Sequence, residues 1–373
     1  MHSHPLRQSK KQRKTMADNN PIRFGIMGCA EIARKVSRAI HLAPDSILYA
    51  IASRSIQKAK QFAVKNGLSE TVKVYGSYDE LLDDPCVDAV YMPLPTSLHV
   101  QWAVMAAEKK KHLMLEKPTA LDVGQLDRIL EACSVNGVQF MDASMWYHHP
   151  RTAKIKELLS DSKTFGQIRV IHSSSSFLGT PEFLEKRVKP DLNALGALGD
   201  AGWYCIGAIM WAKNYQLPTT VTALPAIARN TTGVILSCNA SLHWDKEQTT
   251  ATFYCSFLSN ESMDLAISGS NGSLNLEDFI IPFTETSASF EFTSGAKFLD
   301  LHIGWNVKSK RVQVTSELPQ EAMMVQDFVE LVKGIKHSGC KPDGKWPEIS
   351  RVTQLVMDAV NNSIDLGFKP VTM

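Results

Sequence analysis

The sequence predicts an α/β fold in two parts, a doubly wound parallel sheet followed by an α+β region around a large, mainly antiparallel sheet. Between residues 22 and 143, short apolar runs alternate with amphipathic helical stripes. Apolar runs of this kind are typical of strands that helices cover on both faces, as in parallel sheets. After Tyr147 strand patterns dominate, and turn signals such as Ser270-Asn-Gly separate them, which favours antiparallel pairing.

Six strands and the helices between them account for the first part. Pro44 ends the first helix, and Ser55, Ser77 and Ser97 are expected N-caps of later helices, Ser77 in a capping box with Glu80. The predicted strands are Ile22–Met27, Ile47–Ala52, Lys73–Tyr75, Val87–Met92, His112–Leu115 and Val138–Met141, and two later helices are predicted at about 97–109 and 123–134.

The second part begins with one helix, continues as strands and closes with two helices. The period-two patterns predict strands at Ile168–Ser173, Thr220–Ala228, Val234–Trp244, Thr249–Phe257, Ser262–Ser268, Ser273–Asn275 and Ser289–Phe292. The helical patterns lie at Thr152–Ser160, about Gln320–Lys336 and about Glu348–Leu366. We therefore place the domain boundary at residues 145/146.

Composition excludes several classes of protein. The net charge is +2, but residues 1–20 hold five basic residues and one acidic residue, so the other 353 residues sum to −2. We expect a disordered basic leader at 1–20, with a weak organelle-transit or nuclear signal as the alternative, and no nucleic-acid partner. The longest weakly charged apolar stretch, Ala201–Ala212, is shorter than the ~20 residues of a membrane span. Seven scattered cysteines without a C-x-x-C pair indicate a reducing, cytoplasmic setting without disulfides or a zinc site.

The loop after the first strand has the shape of a dinucleotide-binding turn. Gly28-Cys-Ala-Glu-Ile-Ala33 follows the pattern G-x-G-x-x-G/A, except that Ala30 replaces the middle glycine. Gly28 permits a tight turn, and the N–H groups at the start of the helix face a pyrophosphate. A purely structural turn is the alternative. The predicted cofactor contacts are Gly28, Cys29, Ala30, Glu31 and Ile32.

The residues after the second strand indicate which nucleotide binds. An NAD enzyme is expected to have Asp or Glu about twenty residues after Ala33, whereas this chain has Ser53 and Arg54, with Lys58 one turn later. Ser and Arg can bind a 2′-phosphate that a carboxylate would repel. These three residues predict NADP(H) as the cofactor, unless Arg54 is only a solvated residue at a strand end.

Two further loops follow strands four and five. Two prolines stiffen the first loop, and His99 begins the next helix facing the cleft, where a purely structural role is an equal alternative. A lysine such as Lys117 is rarely buried at a strand end unless it has a function or an ion-pair partner. Glu116 beside it is the simple candidate for that ion pair. The predicted cofactor contacts here are Pro93, Leu94, Pro95, Thr96, His99, Glu116 and Lys117.

Two motifs carry a resemblance to a known family. The first motif is Glu116-Lys117-Pro118, together with Gly28-Cys-Ala. The second is Gly196-Ala-Leu-Gly-Asp-Ala-Gly-Trp-Tyr204, which matches G-x-L-x-D-x-G-x-H. With both motifs the chain resembles the Gfo/Idh/MocA oxidoreductases over about residues 22–370. The chain is most similar to plant members. Tyr204 stands where many members have His, as in the glucose–fructose oxidoreductase and dimeric dihydrodiol dehydrogenase branch. The resemblance implies an NADP-binding Rossmann domain at 21–145 and a substrate-binding, dimerising domain at 146–373.

The same residues suggest a proton-transfer cluster. Asp200 and Tyr204 lie four residues apart on one helical face. A nearby Lys117 ammonium would lower the pKa of the phenol and stabilise a developing alkoxide. We therefore expect Tyr204 to be the acid/base, Lys117 its electrostatic partner, and Asp200 the group that orients Lys117 or a substrate hydroxyl.

Weaker candidates surround this cluster. Trp146 is predicted to wall the nicotinamide or to stack on a substrate ring, with core packing as the alternative. Arg187, Trp203 and His243 are predicted on the substrate side, although Arg187 belongs to a charged run that is typical of solvated surface.

By resemblance the substrate is a sugar, a polyol or a cyclic vicinal diol, and a plant ketone or iminium compound is a further option. The enzyme would interconvert a secondary alcohol and a carbonyl as a homodimer. A glucose–fructose-type enzyme that retains its cofactor and a non-catalytic NADP-binding sensor or scaffold are the alternatives.

Overall fold

The computed structural model describes residues 20–373, apart from the side chains of Lys186 and Arg187. The basic segment at 1–19 lies outside the described residues. The strands are β1 Ile22–Met27, β2 Ser46–Ala52, β3 Lys73–Tyr75, β4 Ala89–Met92, β5 His112–Leu115, β6 Phe140–Asp142, β7 Ile168–Leu178, β8 Thr220–Ala223, β9 Ala228–Arg229, β10 Ile235–Trp244, β11 Thr249–Ser256, β12 Leu258–Ser262, β13 Leu265–Gly269, β14 Gly272–Leu276, β15 Ser287–Ser294, β16 Lys310–Thr315 and β17 Val371–Thr372. The helices are α1 Glu31–Leu42, α2 Ile56–Lys65, α3 Tyr78–Asp83, α4 His99–Glu108, α5 Val123–Asn136, α6 Pro150–Ser160, α7 Pro181–Arg187, α8 Gly196–Asp200, α9 Gly202–Ala212, α10 Gln320–Ser338 and α11 Lys345–Asp365.

The first sheet is parallel throughout and has the order β3-β2-β1-β4-β5-β6. Its strands are apolar because helices cover both faces; β4 and β5 are buried along their whole length. The strand order reverses between β1 and β4, so the loops after these strands separate and leave a crevice. Ligands of doubly wound sheets bind in this crevice.

The second sheet has eleven strands in the order β16-β15-β14-β13-β7-β11-β10-β8-β17, with β12 paired to β7 and β9 to β10. Of the pairs between its strands, β7 with β11 is parallel, whereas the others are antiparallel. Helix α9 packs against β7 and β11 and covers one face. The predicted combination of a parallel and a mainly antiparallel sheet is therefore confirmed.

Helices α10 and α11 join the two sheets. Helix α10 packs against α1, with the ring of Phe328 5.9 Å from that of Phe24 on β1. Helix α11 contacts α5 and α9, and Ser350 donates a hydrogen bond of 2.6 Å to Asp142 at the end of β6. One continuous apolar cluster consequently spans both sheets. Within residues 20–373 no helix combines the length and the hydrophobicity that a bilayer crossing needs.

Some local predictions were wrong. The stretch Thr220–Ala228 is interrupted between β8 and β9, and the sequence patterns missed β12, β16 and β17. Ser55 and Ser77 cap α2 and α3 as predicted. Ser97 caps nothing, because it lies inside a 3-10 turn before α4 and its buried hydroxyl has no hydrogen-bond partner.

A buried ion pair anchors α6 to the second sheet. Arg151 is 1% exposed and donates hydrogen bonds to the Asp278 carboxylate, to the Asp278 carbonyl at 2.9 Å and to the Ser289 carbonyl at 3.1 Å. We expect Arg151→Met to lower the free energy of unfolding by about 3–5 kcal/mol in urea titrations, because the carboxylate stays buried without its cation. Lys154→Met, which breaks an exposed pair on the same helix, should cost less than about 1 kcal/mol. Equal losses would contradict this assignment.

Candidate active site

A groove of about 670 Å³ runs between the two sheets at the carboxyl ends of β1, β4 and β5. One wall is formed by the loops of the parallel sheet. The other is formed by the ends of β7 and β11, the segment before α8, and the start of α10. Of the predicted site residues, those that line the groove are Gly28, Cys29, Ala30, Glu31, Ile32, Arg54, Lys58, Pro93, Leu94, Pro95, Thr96, Glu116, Lys117, Asp200 and Tyr204.

The turn after β1 brings the backbone close to the groove. Gly28 has φ +116°, and a Cβ at this position would lie 3.0 Å from Leu94 and 3.4 Å from the Pro93 carbonyl. Ala30 is the N-cap of α1, and its side chain makes no capping hydrogen bond. The first N–H groups of α1 are therefore free of a side-chain cap at the groove, as an incoming phosphate requires. These features fit a dinucleotide.

Cationic side chains line the groove at the end of β2. Arg54 and Lys58 both lie on its wall, beside Tyr78 at the start of α3. Ser53 is 5% exposed and is not a lining residue; its hydroxyl accepts a long hydrogen bond of 3.5 Å from the Ser55 N–H. The two cations are suitably placed for a phosphate group near the N-terminus of α2.

Lys117 and Asp200 meet across the two domains. The Lys117 ammonium donates to the Asp200 carboxylate, and to the Asp200 carbonyl at 3.0 Å. It also lies 4.5 Å from the centroid of the Tyr204 ring. The Lys117 side chain is 12% exposed. Since the lysine lies in the loop after β5, whereas α8 and α9 carry the other two residues, the cluster exists only in the folded chain.

The pKa of Tyr204 is raised in the structure, whereas the sequence analysis expected Lys117 to lower it. Burial raises the pKa of Tyr204 above its usual value, and Lys117 lowers it by less. The reason is geometric: the ammonium lies over the ring, whereas the hydroxyl points to the Met145 sulfur at 3.7 Å. Burial lowers the pKa of Lys117, but Asp200 and Tyr204 outweigh it and leave that pKa above its usual value. The cluster is therefore a protonated phenol beside a permanent ammonium.

Glu116 and His99 hold the loops around this cluster. Glu116 accepts a hydrogen bond from the hydroxyl of Tyr91, and the backbone N–H of Lys117 also donates to it at 3.2 Å. His99 is fully buried, with one ring nitrogen 3.1 Å from the Thr119 carbonyl and the other 2.9 Å from that of Leu94. The prediction that His99 faces the cleft is wrong, because it joins the two loops from behind.

Three other predicted residues lie away from the groove. Trp146 is 2% exposed and packs edge-on against Trp211 and Phe279 in the core. Trp203 is equally buried, and its indole donates to Ser144 at 3.0 Å. His243, near the end of β10, pairs with Thr250 on β11 and is not among the residues that line the groove. The structure does not bring these three side chains to the groove, and for Trp146 it favours the alternative of core packing; side-chain direction was not readable from the chain. The Arg187 side chain lies outside the described residues.

The sequence patterns also missed several lining residues. Tyr78 was recoverable, because it begins α3 after the two-residue loop that follows β3. Asn193 had no such signal: it reaches the loop after β4 from the second domain, and its side-chain oxygen accepts hydrogen bonds of 3.3 and 3.4 Å from Thr96. The other missed residues include Lys35, Met145, Phe177, Leu192, Leu195, Phe257, Met263, Ile280, Ile281 and Met324.

A doubly wound sheet with a phosphate turn, beside a second domain that supplies a carboxylate and a phenol, defines a two-domain dinucleotide-binding protein. Two family models match the chain in the same two parts. The Gfo/Idh/MocA model for the oxidoreductase family, NAD-binding Rossmann fold, matches residues 22–144. The model for the Gfo/Idh/MocA C-terminal domain matches residues 152–275. The chain belongs to the Gfo/Idh/MocA oxidoreductase family.

Curated relatives include proteins named as sugar reductases, sugar dehydrogenases and diol dehydrogenases. The dTDP-3,4-didehydro-2,6-dideoxy-alpha-D-glucose 3-reductase of Actinomadura kijaniata is 37% identical over 193 residues, which cover 52% of this chain and 56% of that protein. The D-xylose 1-dehydrogenase (NADP(+)) 2 of Haloferax volcanii is 35% identical over 185 residues, covering 50% of this chain and 55% of that protein. This chain thus spans about half the length of the curated relatives it matches.

Solved structures match over a longer stretch. A 3-ketoreductase from Actinomadura kijaniata, crystallised with NADP and TDP-benzene, superposes with a TM-score of 0.78 at 26% identity. The match covers 92% of this chain and 98% of that chain. The two-domain arrangement is therefore shared along almost the whole described structure.

Proposed function

We propose that this protein is an NADP(H)-dependent oxidoreductase that interconverts a secondary alcohol and a carbonyl compound. The observation that carries the proposal is the contact of Lys117 with Asp200 and with the Tyr204 ring at the bottom of the groove. A lysine that meets a carboxylate and a phenol from another domain is unusual as a packing feature. It provides charge stabilisation and a proton donor at one point.

The residues divide the chemistry as follows. Gly28, Arg54 and Lys58 would hold NADPH in the groove, and the bound cofactor would supply the hydride that the carbonyl carbon accepts. Tyr204 gives the proton of its hydroxyl to the carbonyl oxygen as the hydride arrives, and solvent later restores that proton. Lys117 stabilises the negative charge that develops on the oxygen. Asp200 holds the Lys117 ammonium in place, and the raised pKa of Lys117 keeps the charge constant across the neutral range.

Arg54 is proposed to select the phosphorylated cofactor. We expect Arg54→Ala to weaken NADPH binding about 10–100-fold, the value of a charge-assisted hydrogen bond to phosphate, and to leave NADH binding unchanged. Fluorescence titration with both cofactors measures the effect. Arg128→Ala, an exposed arginine on α5, is the matched control. Wild-type protein that binds NADH as tightly as NADPH would refute the proposed preference.

The subunit arrangement and location are also proposals. The mainly antiparallel sheet has α9 on one face, and His172, His243 and Thr250 stand on the strands of its more exposed side. This broad face supports a homodimer formed through the sheet. Seven free cysteines support a reducing, cytoplasmic location.

A further inference from the structure

An apolar hairpin connects β15 to the edge strand β16 of the second sheet, and we call residues 297–306 the edge hairpin. Five of the eight positions from 298 to 305 hold large exposed apolar side chains: Phe298, Leu299, Leu301, Ile303 and Trp305. Phe298 and Leu301 are 78% and 86% exposed, and Ile303 is fully exposed. A single exposed apolar residue is common, whereas a contiguous group of this kind marks a surface that contacts a partner.

The edge hairpin has a defined structure. The Asn306 N–H donates to the Lys297 carbonyl at 3.0 Å, and the Lys297 N–H donates to the Asn306 side-chain oxygen at 2.6 Å. Between these two residues the rings of Phe298 and Trp305 pack edge-on, with their centroids 5.4 Å apart. The exposed apolar side chains are therefore held on a closed backbone frame.

The side chains of the edge hairpin change in character from its turn to its base. Leu301 and Ile303 in the turn are aliphatic, and the aromatic pair of Phe298 and Trp305 lies nearer the strands. Exposed lysines follow at the base: Lys297, Lys308 and Lys310. The surface of a bilayer has the same order of acyl chains, an interfacial zone that favours aromatic rings, and anionic headgroups that attract lysine.

The charge of this region favours an anionic partner. Residues 296–310 contain those three lysines and one acidic residue, Asp300. Because Asp300 lies in the turn, it limits insertion to the boundary between headgroups and acyl chains. Contact of the edge hairpin with its counterpart in a second copy of the chain would bring like charges together. A lipid surface therefore fits the edge hairpin better than a second copy does.

We propose that the edge hairpin docks this protein on bilayers that contain anionic lipids. Leu301 and Ile303 enter the boundary between headgroups and acyl chains, and the lysines at the base bind the anionic headgroups. An apolar anchor combined with a basic patch attaches a protein more firmly than either one alone. Residues 296–310 are not among those that line the groove, so this docking does not depend on the proposed oxidoreductase activity.

Cosedimentation of the full chain with vesicles tests the docking. We expect vesicles of phosphatidylcholine with about 30% phosphatidylserine to bind the protein at least tenfold more tightly than vesicles of phosphatidylcholine alone. Brominated lipid in the anionic vesicles should quench the tryptophan fluorescence, because Trp305 is exposed whereas the other tryptophans are buried or half-buried. Absence of binding, or equal binding to the two kinds of vesicle, would overturn the proposal.

Two double variants separate the apolar and the electrostatic contributions. Leu301→Ser combined with Ile303→Ser should weaken binding to anionic vesicles at least tenfold, because the turn loses its apolar anchor. A lysine near an anionic surface strengthens binding about fivefold, so Lys308→Gln combined with Lys310→Gln should weaken binding about 25-fold. NADPH binding and the melting temperature should equal those of the wild type in both variants and show that each is folded.

Matched controls lie on α2 in the first domain. Val64→Ser and Lys60→Gln change an exposed apolar residue and an exposed lysine, and both variants should bind vesicles as the wild type does. Unchanged vesicle binding in folded Leu301→Ser, Ile303→Ser protein would overturn the assignment of the edge hairpin. Light scattering tests the other occupant: a wild-type dimer that ignores vesicles and becomes a monomer in this variant would assign the edge hairpin to a second copy and overturn the proposal.

Discussion

Lys117→Met is expected to lower kcat for carbonyl reduction about 10²–10³-fold and to leave NADPH binding unchanged. The ammonium is the one cationic group that the structure places against both Asp200 and the Tyr204 ring among the described residues. Removing a preorganised charge from a developing oxyanion has an effect of this size. Stopped-flow reduction and fluorescence titration of NADPH separate the two quantities.

Two controls accompany this variant. Lys109→Met removes an exposed lysine that pairs with Asp83 on the surface of the first domain, and it should behave as wild type. A thermal melt of Lys117→Met shows whether loss of the pair with Asp200 unfolds the groove. Normal turnover in folded Lys117→Met would refute the catalytic role of Lys117, whereas a wild-type protein that binds NADPH and turns over no carbonyl compound would favour the non-catalytic NADP-binding sensor.

Tyr204→Phe is expected to reduce kcat about 10²–10⁴-fold, because the ring and its contact with Lys117 remain while the proton donor is lost. The pH profile gives an independent signature. Burial raises the pKa of Tyr204, so the phenol stays protonated between pH 6 and 9. Reduction needs that proton and should be insensitive to pH over this range. Oxidation needs the phenolate, so its kcat/KM should increase about tenfold per pH unit.

The opposite profile would contradict this assignment. A plateau of alcohol oxidation near pH 7 would mean that Lys117 lowers the pKa of Tyr204 more than burial raises it, as the sequence alone suggested. Tyr215→Phe serves as a matched control, since Tyr215 is another buried phenol and does not line the groove. Its pH profile should equal that of the wild type.

Much of the fold could be predicted because the signals are local. Strands β1, β3 and β5 begin and end where the apolar runs do, and Ser55 and Ser77 cap their helices through contacts three residues away. The phosphate turn was also readable, because Gly28 has to adopt positive φ at a fixed point between strand and helix. Local geometry and hydrogen bonding determine these features.

The second sheet was harder to predict. Strand β16 is an exposed edge strand whose apolar side holds only Val312 and Val314, and β17 has two residues, so both give weak strand signals. The first glycine of the second motif, Gly196, was likewise hard to interpret from local sequence. A Cβ at Gly196 would lie 2.1 Å from the Ile235 carbonyl on β10, a contact between residues 39 positions apart that no local pattern reveals.

The sequence by itself determined which chemical groups are present: a phosphate turn, two cations after β2, and a lysine, an aspartate and a tyrosine in two recognisable motifs. Tertiary structure alone decided which of them meet. It brought Lys117 to Asp200, turned Trp146, Trp203 and His99 into the interior, and set Phe177 and Phe257 side by side. The reason is physical, because periodicity reports whether a residue is buried, whereas its neighbours depend on how strands pair and domains pack.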